Sequence, residues 1–333
     1  MKAIVLARCA LLVPFVDILN DIGAPAERML ATFGLPAHPE QKLNDYFPLT
    51  PALQFAVTAQ SSQGIADFGF RAVQRLQFGH LSEQLQAPVR HAPTLLAGLE
   101  QMCRLVQVED TFVRFWLERH GDQVRVCNML DGMSGALHLE HTQWVQNVMA
   151  VYIVRQFAGP NWAPATIAFE ARYTPGIETQ SQWPHTRFLS GQKTSWIDVP
   201  VSLLSAAPIA YAATRGSSEH EFQPISTDTV TALKLMLPSY LDARLPSIAE
   251  MAEITGTSVR SLQRELATAG LTYSRLIDQV RFERGAELLR NTDAKIIDVA
   301  FATGYTDPAH FARAFRRMAG VAPREYRANS AAG

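Results

Sequence analysis

Three arginines, Arg313, Arg316 and Arg317, lie on a segment whose apolar residues have helical spacing. Phe311 and Phe315 are four residues apart, so they occupy one face of such a helix and leave the arginines on the opposite side. A guanidinium group can donate paired hydrogen bonds to a guanine base or to phosphate oxygens. Because surface arginines are more often simply solvated, the elements around them must decide between the two interpretations.

A glycine-bearing turn precedes this segment. Gly304 can leave the helical conformation at little cost, Asp307 can cap the next helix, and Pro308 suits its first position. Gly320 can end that helix, with Pro323 beyond it. Upstream, a first helix is predicted by apolar residues at helical spacing, Ile296, Ile297, Val299, Ala300 and Phe301. Two short helices joined by such a turn are typical of a helix-turn-helix unit.

The same layout occurs once upstream. Residues 248–256 end in Gly256, and Ser258 can cap the helix predicted at 259–266. Gly256 lies 48 residues before Gly304. The matching apolar pairs are offset by 49 residues and the helix-ending glycines by 50: Leu262 and Leu266 with Phe311 and Phe315, and Gly270 with Gly320. The chain therefore contains two such units, with small insertions in their turns.

One helix is predicted between the two units. Residues 273–290 contain apolar side chains near helical spacing and give a length of about 27 Å at about 1.5 Å per residue. Such a helix could hold two recognition helices about one DNA turn, ~34 Å, apart on one face of a duplex.

These features resemble the DNA-binding region of the AraC family of transcriptional regulators, in which one helix joins two helix-turn-helix units. The resemblance spans residues 225–327. Its most specific run goes without a gap from Val299-Ala300 through Gly304-Tyr305, Phe311, Phe315, Gly320 and Pro323 to Tyr326-Arg327. The resemblance implies double-stranded promoter DNA and RNA polymerase as partners, a homodimer and a cytoplasmic location. It implies no catalytic residue, cofactor or metal.

The family pattern also indicates which residues contact DNA. The expected contact residues are Ser258, Arg260, Ser261, Gln263, Arg264, Thr306, Ala309, His310, Arg313 and Arg317. By their place in the family pattern, one major groove is expected to be faced by Arg260, Ser261, Gln263 and Arg264, and the next by Ala309, His310 and Arg313. Thr306 and Thr257 lie in the turns and could bind phosphates, while Arg316 and Arg317 are expected to clamp phosphates or to be solvated.

The composition changes before this region. Residues 205–228 are rich in Ala, Ser and Pro and lose their periodicity, which predicts a boundary. Acidic residues outnumber basic ones by 19 to 16 in residues 1–224, whereas basic residues outnumber acidic ones by 14 to 12 in residues 225–333. The expected domains are an effector-binding and dimerisation domain at 1–208, a linker at 209–226, a DNA-binding domain at 227–328 and a flexible tail at 329–333.

The first domain is predicted to be α+β, and the second to be all-α. Helices are expected near residues 15–22, 26–33, 51–60, 66–76, 93–106 and 138–157, and strands near 111–119, 123–129, 165–171 and 194–199. The first two strands flank His120-Gly121-Asp122 and predict a hairpin. Because helices and strands do not alternate strictly, a doubly wound sheet is not expected.

Short apolar runs link the first domain to a subgroup of the family. The runs are 68–71, 79–81, 93–99 and 188–204. They resemble the effector-binding domain of ornithine-utilisation and VirS-type regulators rather than a cupin-like arabinose-binding domain. They describe the scaffold, so the effector-binding residues stay unknown.

Other residues could suggest an enzyme or a metal site. His138, Glu140 and His141 could begin a zinc site, but without a third ligand a capping or surface role is favoured. Cys9, Cys103 and Cys127 lack metal or disulfide spacing and are expected to be buried thiols. Five aromatic residues could line a pocket but are more often core: Trp116, Trp144, Tyr152, Trp162 and Trp183.

Residues 1–16 could be mistaken for a signal peptide. Arg8 interrupts the apolar run and no clear cleavage site follows, so an amphipathic first helix is favoured. No stretch reaches the ~20 apolar residues of a membrane span.

The function expected is a sequence-specific DNA-binding transcriptional regulator, with activation as the default, controlled by a small-molecule effector in the first domain. One alternative is a regulator without a ligand, whose first domain only dimerises. Another is an enzyme fused to a DNA-binding region, which would require a reactive nucleophile such as Cys103 or Cys127.

Overall fold

The computed structural model describes residues 4–136, 138–209 and 228–331. Two compact units are present. We call residues 5–29 and 49–225 the amino-terminal unit, and residues 1–4, 30–48 and 226–333 the carboxy-terminal unit. Residues 30–48 thus group with the end of the chain, whereas the sequence-based bounds assign them to the first domain. Nearly all of the expected linker at 209–226 lies outside the described residues.

The elements are numbered in chain order. The strands are β1 (Leu6–Arg8), β2 (Tyr46–Pro48), β3 (Val113–His120), β4 (Gln123–Leu130), β5 (Thr166–Ala168), β6 (Arg187–Leu189) and β7 (Ser195–Pro200). The helices of the amino-terminal unit are α1 (Val13–Asp21), α2 (Ala26–Thr32), α3 (Leu49–Gln63), α4 (Phe68–Val73), α5 (Glu83–Arg90), α6 (Leu95–Leu105), α7 (Glu140–Ala158) and α8 (Ile177–Gln182), the end of α2 passing into the other unit. The helices of the carboxy-terminal unit are α9 (Thr229–Met236), α10 (Ile248–Ile254), α11 (Val259–Thr268), α12 (Tyr273–Asn291), α13 (Ile296–Ala302), α14 (Pro308–Ala319) and α15 (Pro323–Ala331).

The amino-terminal unit is α+β, as predicted. Its five-stranded sheet has the order β3-β4-β7-β5-β6. The expected hairpin is β3 with β4, in which Val113 lies opposite Leu130 and His120 opposite Gln123. Strands β4, β7 and β5 are antiparallel neighbours, whereas β5 and β6 are parallel.

A buried asparagine joins α7 to this sheet. The Asn147 amide donates to the Ser195 hydroxyl at 2.9 Å and to the Ala168 carbonyl at 3.2 Å. Its oxygen accepts from the Asn128 amide at 2.9 Å. These partners lie on β7, β5 and β4, so one side chain fixes the helix against three strands.

The start of the chain differs from the expected amphipathic helix. Residues Leu6–Arg8 form β1, and the first α-helix begins only at Val13. Arg8 is buried, and its guanidinium pairs with the buried Glu109 carboxylate at 2.7 Å. The expectation was wrong because the charged residue that seemed to interrupt an apolar run has a partner 101 residues away.

Two other expectations are corrected in this unit. His141 is 2% exposed, and neither of its ring nitrogens has a hydrogen-bond partner in the described structure, so it is a core residue and not a capping or surface one. Burial lowers its pKa. Within the described ranges, no group of three or more His, Cys, Asp or Glu residues could hold a metal ion. Of the five aromatic residues, only Trp144 is fully buried.

Cys9, Cys103 and Cys127 form no disulfide in the described structure. Cys9 and Cys127 are buried, and Cys103 is partly buried. Burial raises the pKa of Cys103 to about 11 and that of Cys127 to about 12. Both side chains are therefore protonated thiols at neutral pH, which argues against a nucleophilic role.

The carboxy-terminal unit has an all-α core, as predicted for the second domain. Its core includes residues from α12, α13, α14 and the turn between the last two, namely Ala286, Leu289, Val299, Ala300, Tyr305, Phe311, Ala314 and Phe315. The helix α15 continues to Ala331, so residues 329–331 are helical rather than part of a flexible tail.

Within this unit, polar contacts join residues 30–48 to the segment that follows α9. The Lys42 ammonium donates to the Ser239 carbonyl at 2.7 Å and also pairs with the Asp242 carboxylate. The Tyr240 hydroxyl donates to the Gly34 carbonyl at 2.8 Å. Asp45 is buried nearby, and burial raises its pKa although Arg284 and Lys42 act in the opposite direction.

Candidate DNA-binding surface

The first helix-turn-helix unit consists of α10, a turn at Gly256 and α11. Ser247 and Glu250 form a capping box at the start of α10, with the Ser247 backbone N–H donating to the Glu250 carboxylate at 2.8 Å. The Ser258 hydroxyl caps α11 by accepting from the Ser261 backbone N–H at 3.2 Å. These caps satisfy backbone donors that a short helix leaves free.

The inner and outer faces of α11 match the expected pattern. Leu262 and Leu266 are buried, whereas Arg260, Gln263 and Arg264 are exposed. The Arg264 guanidinium lies 3.3 Å from the Glu265 carboxylate, but its side chain is 68% exposed. Such an exposed ion pair is weak, so the guanidinium can exchange it for another acceptor.

Ser258 and Ser261, both expected contact residues, are hydrogen-bonded to each other at the start of α11. The Ser258 hydroxyl donates to the Ser261 hydroxyl at 3.0 Å while also capping α11. Ser258 is exposed and Ser261 is half-buried. Their first structural role is therefore to begin the helix.

The second unit consists of α13, a turn at Gly304 and α14. The Asp307 carboxylate accepts from the backbone N–H groups of Ala309 at 2.9 Å and His310 at 3.2 Å, as the sequence predicts for a cap. Gly320 ends the helix with a φ of 78°. Phe311 and Phe315 are buried, as expected.

The outer face of α14 carries exposed polar groups. Thr306, His310, Arg313 and Arg317 are exposed, as is Ala309 between them. The nearest carboxylate to Arg313 is Asp307 at 4.0 Å, and the Arg313 side chain is 71% exposed. Arg317 lies 3.7 Å from Asp278 and is similarly exposed. Arg316 is exposed as well. These guanidinium groups are held only loosely.

The predicted apolar stripe of α13 is only partly buried. Val299 and Ala300 belong to the core, whereas Ile297 and Phe301 are 45% and 48% exposed. A helix of seven residues offers about two turns, and its packing against α12 and α14 covers only one side. The helix predicted from these five apolar residues is present, but Ile297 and Phe301 lie on its outer side.

The linker helix α12 positions the second turn through residues that the sequence reasoning missed. The Arg281 guanidinium lies over the Tyr305 ring, 4.8 Å from its centroid, and donates to the Gly304 carbonyl at 3.0 Å. Gly285 faces the Phe311 ring so closely that a side chain there would lie 3.2 Å from it. An arginine and a glycine inside a helical pattern gave no signal of these roles, because their partners lie more than 20 residues away.

The described helices include none that is both long enough and apolar enough to cross a bilayer.

Two family models match the chain. Residues 251–329 match a helix-turn-helix domain, and residues 23–182 match the amino-terminal arabinose-binding domain of the AraC transcription regulator. From the sequence, we expect an amino-terminal domain different from the arabinose-binding domain. The second match is to an arabinose-binding domain, so it does not support that distinction.

Relatives of the expected subgroup also match. The ornithine utilization regulator of Pseudomonas aeruginosa is 31% identical over 143 residues, which cover 41% of this chain and 42% of the relative. The transcriptional regulator VirS of Mycobacterium tuberculosis is 22% identical over 342 residues, with 94% of both chains covered. The alignments span only about two fifths of the length of the first relatives matched. The expected resemblance to ornithine-utilisation and VirS-type regulators is confirmed, and these relatives are regulators rather than enzymes.

A crystal structure is similar over most of the chain. The transcriptional regulator CdpR from Pseudomonas aeruginosa covers 95% of this chain and 97% of its own, with a TM-score of 0.42 and 19% identity.

Proposed function

This chain belongs to the AraC family of transcription regulators, and on that premise we propose that it binds promoter DNA sequence-specifically through α11 and α14. Its amino-terminal unit binds a small effector, and the effector changes the affinity of the chain for its promoter. The regulator acts as a homodimer in the cytoplasm and activates transcription with RNA polymerase.

One observation supports the DNA-binding proposal most directly. Arg264 and Arg313 are 49 residues apart, the same offset that relates the buried pair of α11 to that of α14. Each arginine follows one buried residue by two positions and precedes the next by two, and each is exposed. Both helices therefore present a guanidinium at the same point of a capped, amphipathic helix, where a base edge can be contacted.

The other expected contact residues fall into two groups, those with exposed hydrogen-bond donors and those at the starts of the helices. Arg260, Gln263 and His310 present exposed donors on the same faces, and Thr306 lies exposed in the second turn. Ser258, Ser261 and Ala309 contribute mainly to helix starts, so we propose that they approach the sugar-phosphate backbone. Arg317 is the phosphate contact of α14.

Effector control requires two states of the protein that differ in effector affinity. The same free energy then couples effector binding to DNA binding in both directions. Its support is the match of residues 23–182 to the arabinose-binding domain of the AraC transcription regulator, because that description names a small-molecule ligand.

The experiment is a selection of binding sites from random DNA duplexes by the full chain. We expect one sequence with two half-sites about a helical turn apart. Arg264→Ala and Arg313→Ala should each weaken binding to it by about 5- to 150-fold, corresponding to about 1–3 kcal/mol, and relax the preference at a few base pairs of one half-site.

Arg324→Ala is the matched control, because Arg324 is exposed on α15, which lies outside both helix-turn-helix units. It should leave the base preference unchanged. An unaltered preference in both test variants would place the recognition faces elsewhere.

A further inference from the structure

A cleft in the amino-terminal unit combines a cation with aromatic walls. It has a volume of about 550 Å³, within the range of small-molecule sites. Helices α4 and α7 form one side, and residues 160–163 and 182–186 form the other. Its apolar lining residues are Phe70, Val73, Val148, Pro160, Ala163 and Pro184.

Arg155 is the central polar group of this cleft. Its guanidinium carbon lies 5.6 Å from the centroid of the Tyr152 ring and 5.7 Å from that of the Trp183 ring. Its Nε donates to the Trp162 carbonyl at 2.9 Å, which fixes the direction of the fork. Neither terminal nitrogen of Arg155 has a hydrogen-bond partner among the described residues, so both can donate to a ligand.

No carboxylate in the described part of the chain pairs with Arg155, and none lines the cleft. The titratable groups that line it besides Arg155 are Tyr152 and His185. Burial lowers the pKa of Arg155, so the cation is partly removed from water without a charge partner. A partly desolvated cation of this kind gains most from an anion that can accept paired hydrogen bonds.

We propose that this cleft binds a small organic acid, whose carboxylate pairs with Arg155 and whose aliphatic or aromatic body packs between Tyr152, Trp183 and Val148. Arginine matches a carboxylate better than lysine does, because its planar fork donates two parallel hydrogen bonds. The inference rests on the proposed function in one respect, since it treats the bound acid as the effector. The amide pair Gln74 and Gln182, which are hydrogen-bonded to each other, offers further polar contacts beside the acid.

The test compares acids with their amides on the full chain. Calorimetric titration would use phenylacetate and octanoate against phenylacetamide and octanamide. We expect the acids to bind and the amides, which keep the shape and lack the charge, to bind at least tenfold more weakly. Arg155→Gln should weaken acid binding at least tenfold, whereas Arg119→Gln, the same change on the exposed end of β3, should leave it unchanged.

A second variant guards against a folding defect, because Arg155 also supports the Trp162 carbonyl. His185 is exposed on the rim of the cleft, so His185→Glu adds a carboxylate without disturbing the core. It should weaken acid binding and spare amide binding. Equal binding of acids and amides, no binding of either acid, or unchanged binding by folded Arg155→Gln would each overturn the assignment.

Binding of the selected DNA duplex is measured in the same samples without any acid. If the acids fail this test while the chain still binds DNA sequence-specifically, the acid-binding site is refuted and the proposed DNA-binding function stands. If the wild-type chain does not bind DNA sequence-specifically, the proposed function is refuted, whether or not the acids bind.

Discussion

Gly256 and Gly304 occupy the same place in the two helix-turn-helix units, but their surroundings differ. Both have positive φ values, 64° and 77°. A β-carbon at Gly256 would meet no atom within 4 Å, whereas one at Gly304 would overlap the Leu241 carbonyl oxygen. The second turn therefore needs glycine for its conformation and for its close approach to another backbone.

This difference gives a prediction about stability. Gly256→Ala should cost about 1–2 kcal/mol, the usual penalty of a left-handed residue with a side chain. Gly304→Ala adds steric overlap with a backbone atom that cannot rotate away, so about 1–3 kcal/mol more is expected. Denaturant unfolding of the full chain would measure both changes. Similar losses in the two variants would show that the close approach at Leu241 relaxes freely.

At the level of elements, β1 is held by the turn that precedes β3. The Thr111 backbone N–H donates to the Leu6 carbonyl at 2.9 Å, and the Arg8 N–H to the Glu109 carbonyl at the same distance. Asp110 lies within this junction and is buried. Burial raises the pKa of Asp110 to about 7, because the effect of desolvation outweighs that of the backbone hydrogen bonds, which lower the pKa.

The sign of this shift predicts a pH dependence. Between its ordinary pKa near 4 and the folded value of about 7, the folded chain holds a proton on Asp110 that the unfolded chain releases. Wild-type stability should therefore fall as the pH rises through this range, by at most about 4 kcal/mol for three pKa units. Asp110→Asn removes the charge and should be more stable than wild type at pH ~8 but nearly equal at pH ~4.

Urea unfolding at the two pH values would measure the difference between variant and wild type. Asp122→Asn is the control, because Asp122 is exposed in the hairpin turn. A difference between Asp110→Asn and wild type that does not depend on pH would contradict the burial argument.

Elements with strong local signals were predictable, and those made by distant partners were not. The hairpin of β3 and β4 follows from alternation around a turn, and α14 from its cap and buried phenylalanines. Strand β1 depends on residues 109–111, and the three-residue β6 gains its pairing only from β5. Helices α5 and α8 were also missed. α8 has only six residues, and α5 contains Pro88 near its end.

The candidate site shows the same division. Exposed arginines on α11 and α14 follow from amphipathic spacing, so their faces could be inferred from the sequence. The cleft around Arg155 could not, since it combines α4, α7 and a loop near Trp183. The sequence singled out Tyr152 and Trp183 as aromatic, but only the fold places an arginine against them.

At the scale of the molecule, the carboxy-terminal unit is discontinuous in sequence. Its segment 30–48 contributes the Lys42 contacts with Ser239 and Asp242, and the Gly34 carbonyl that accepts from Tyr240. The Gly34 backbone also lies close to the Ile254 side chain of α10. The first helix-turn-helix unit is therefore supported by residues from far upstream.

We predict that a fragment of residues 226–333 is less stable alone than when residues 30–48 are bound to it. A synthetic peptide of residues 30–48 should raise its melting temperature, because binding to the folded form stabilises it. A peptide with Lys42→Ala should bind about 5- to 150-fold more weakly, since it leaves polar groups without their partner at about 1–3 kcal/mol.

Thermal unfolding at increasing peptide concentration would give both results, and a peptide of scrambled order is the control. If the melting temperature of the fragment does not change with peptide concentration, residues 30–48 do not stabilise the fragment.

The discontinuity also bears on how the protein is made. About 180 residues separate segment 30–48 from α9, and at about 5–20 residues per second a ribosome needs roughly 10–40 s to add them. During that interval, Lys42 and Asp45 have none of the partners that α9 to α12 later supply. A nascent chain therefore cannot complete its carboxy-terminal unit step by step as it emerges, because segment 30–48 has to await the synthesis of α9 to α12.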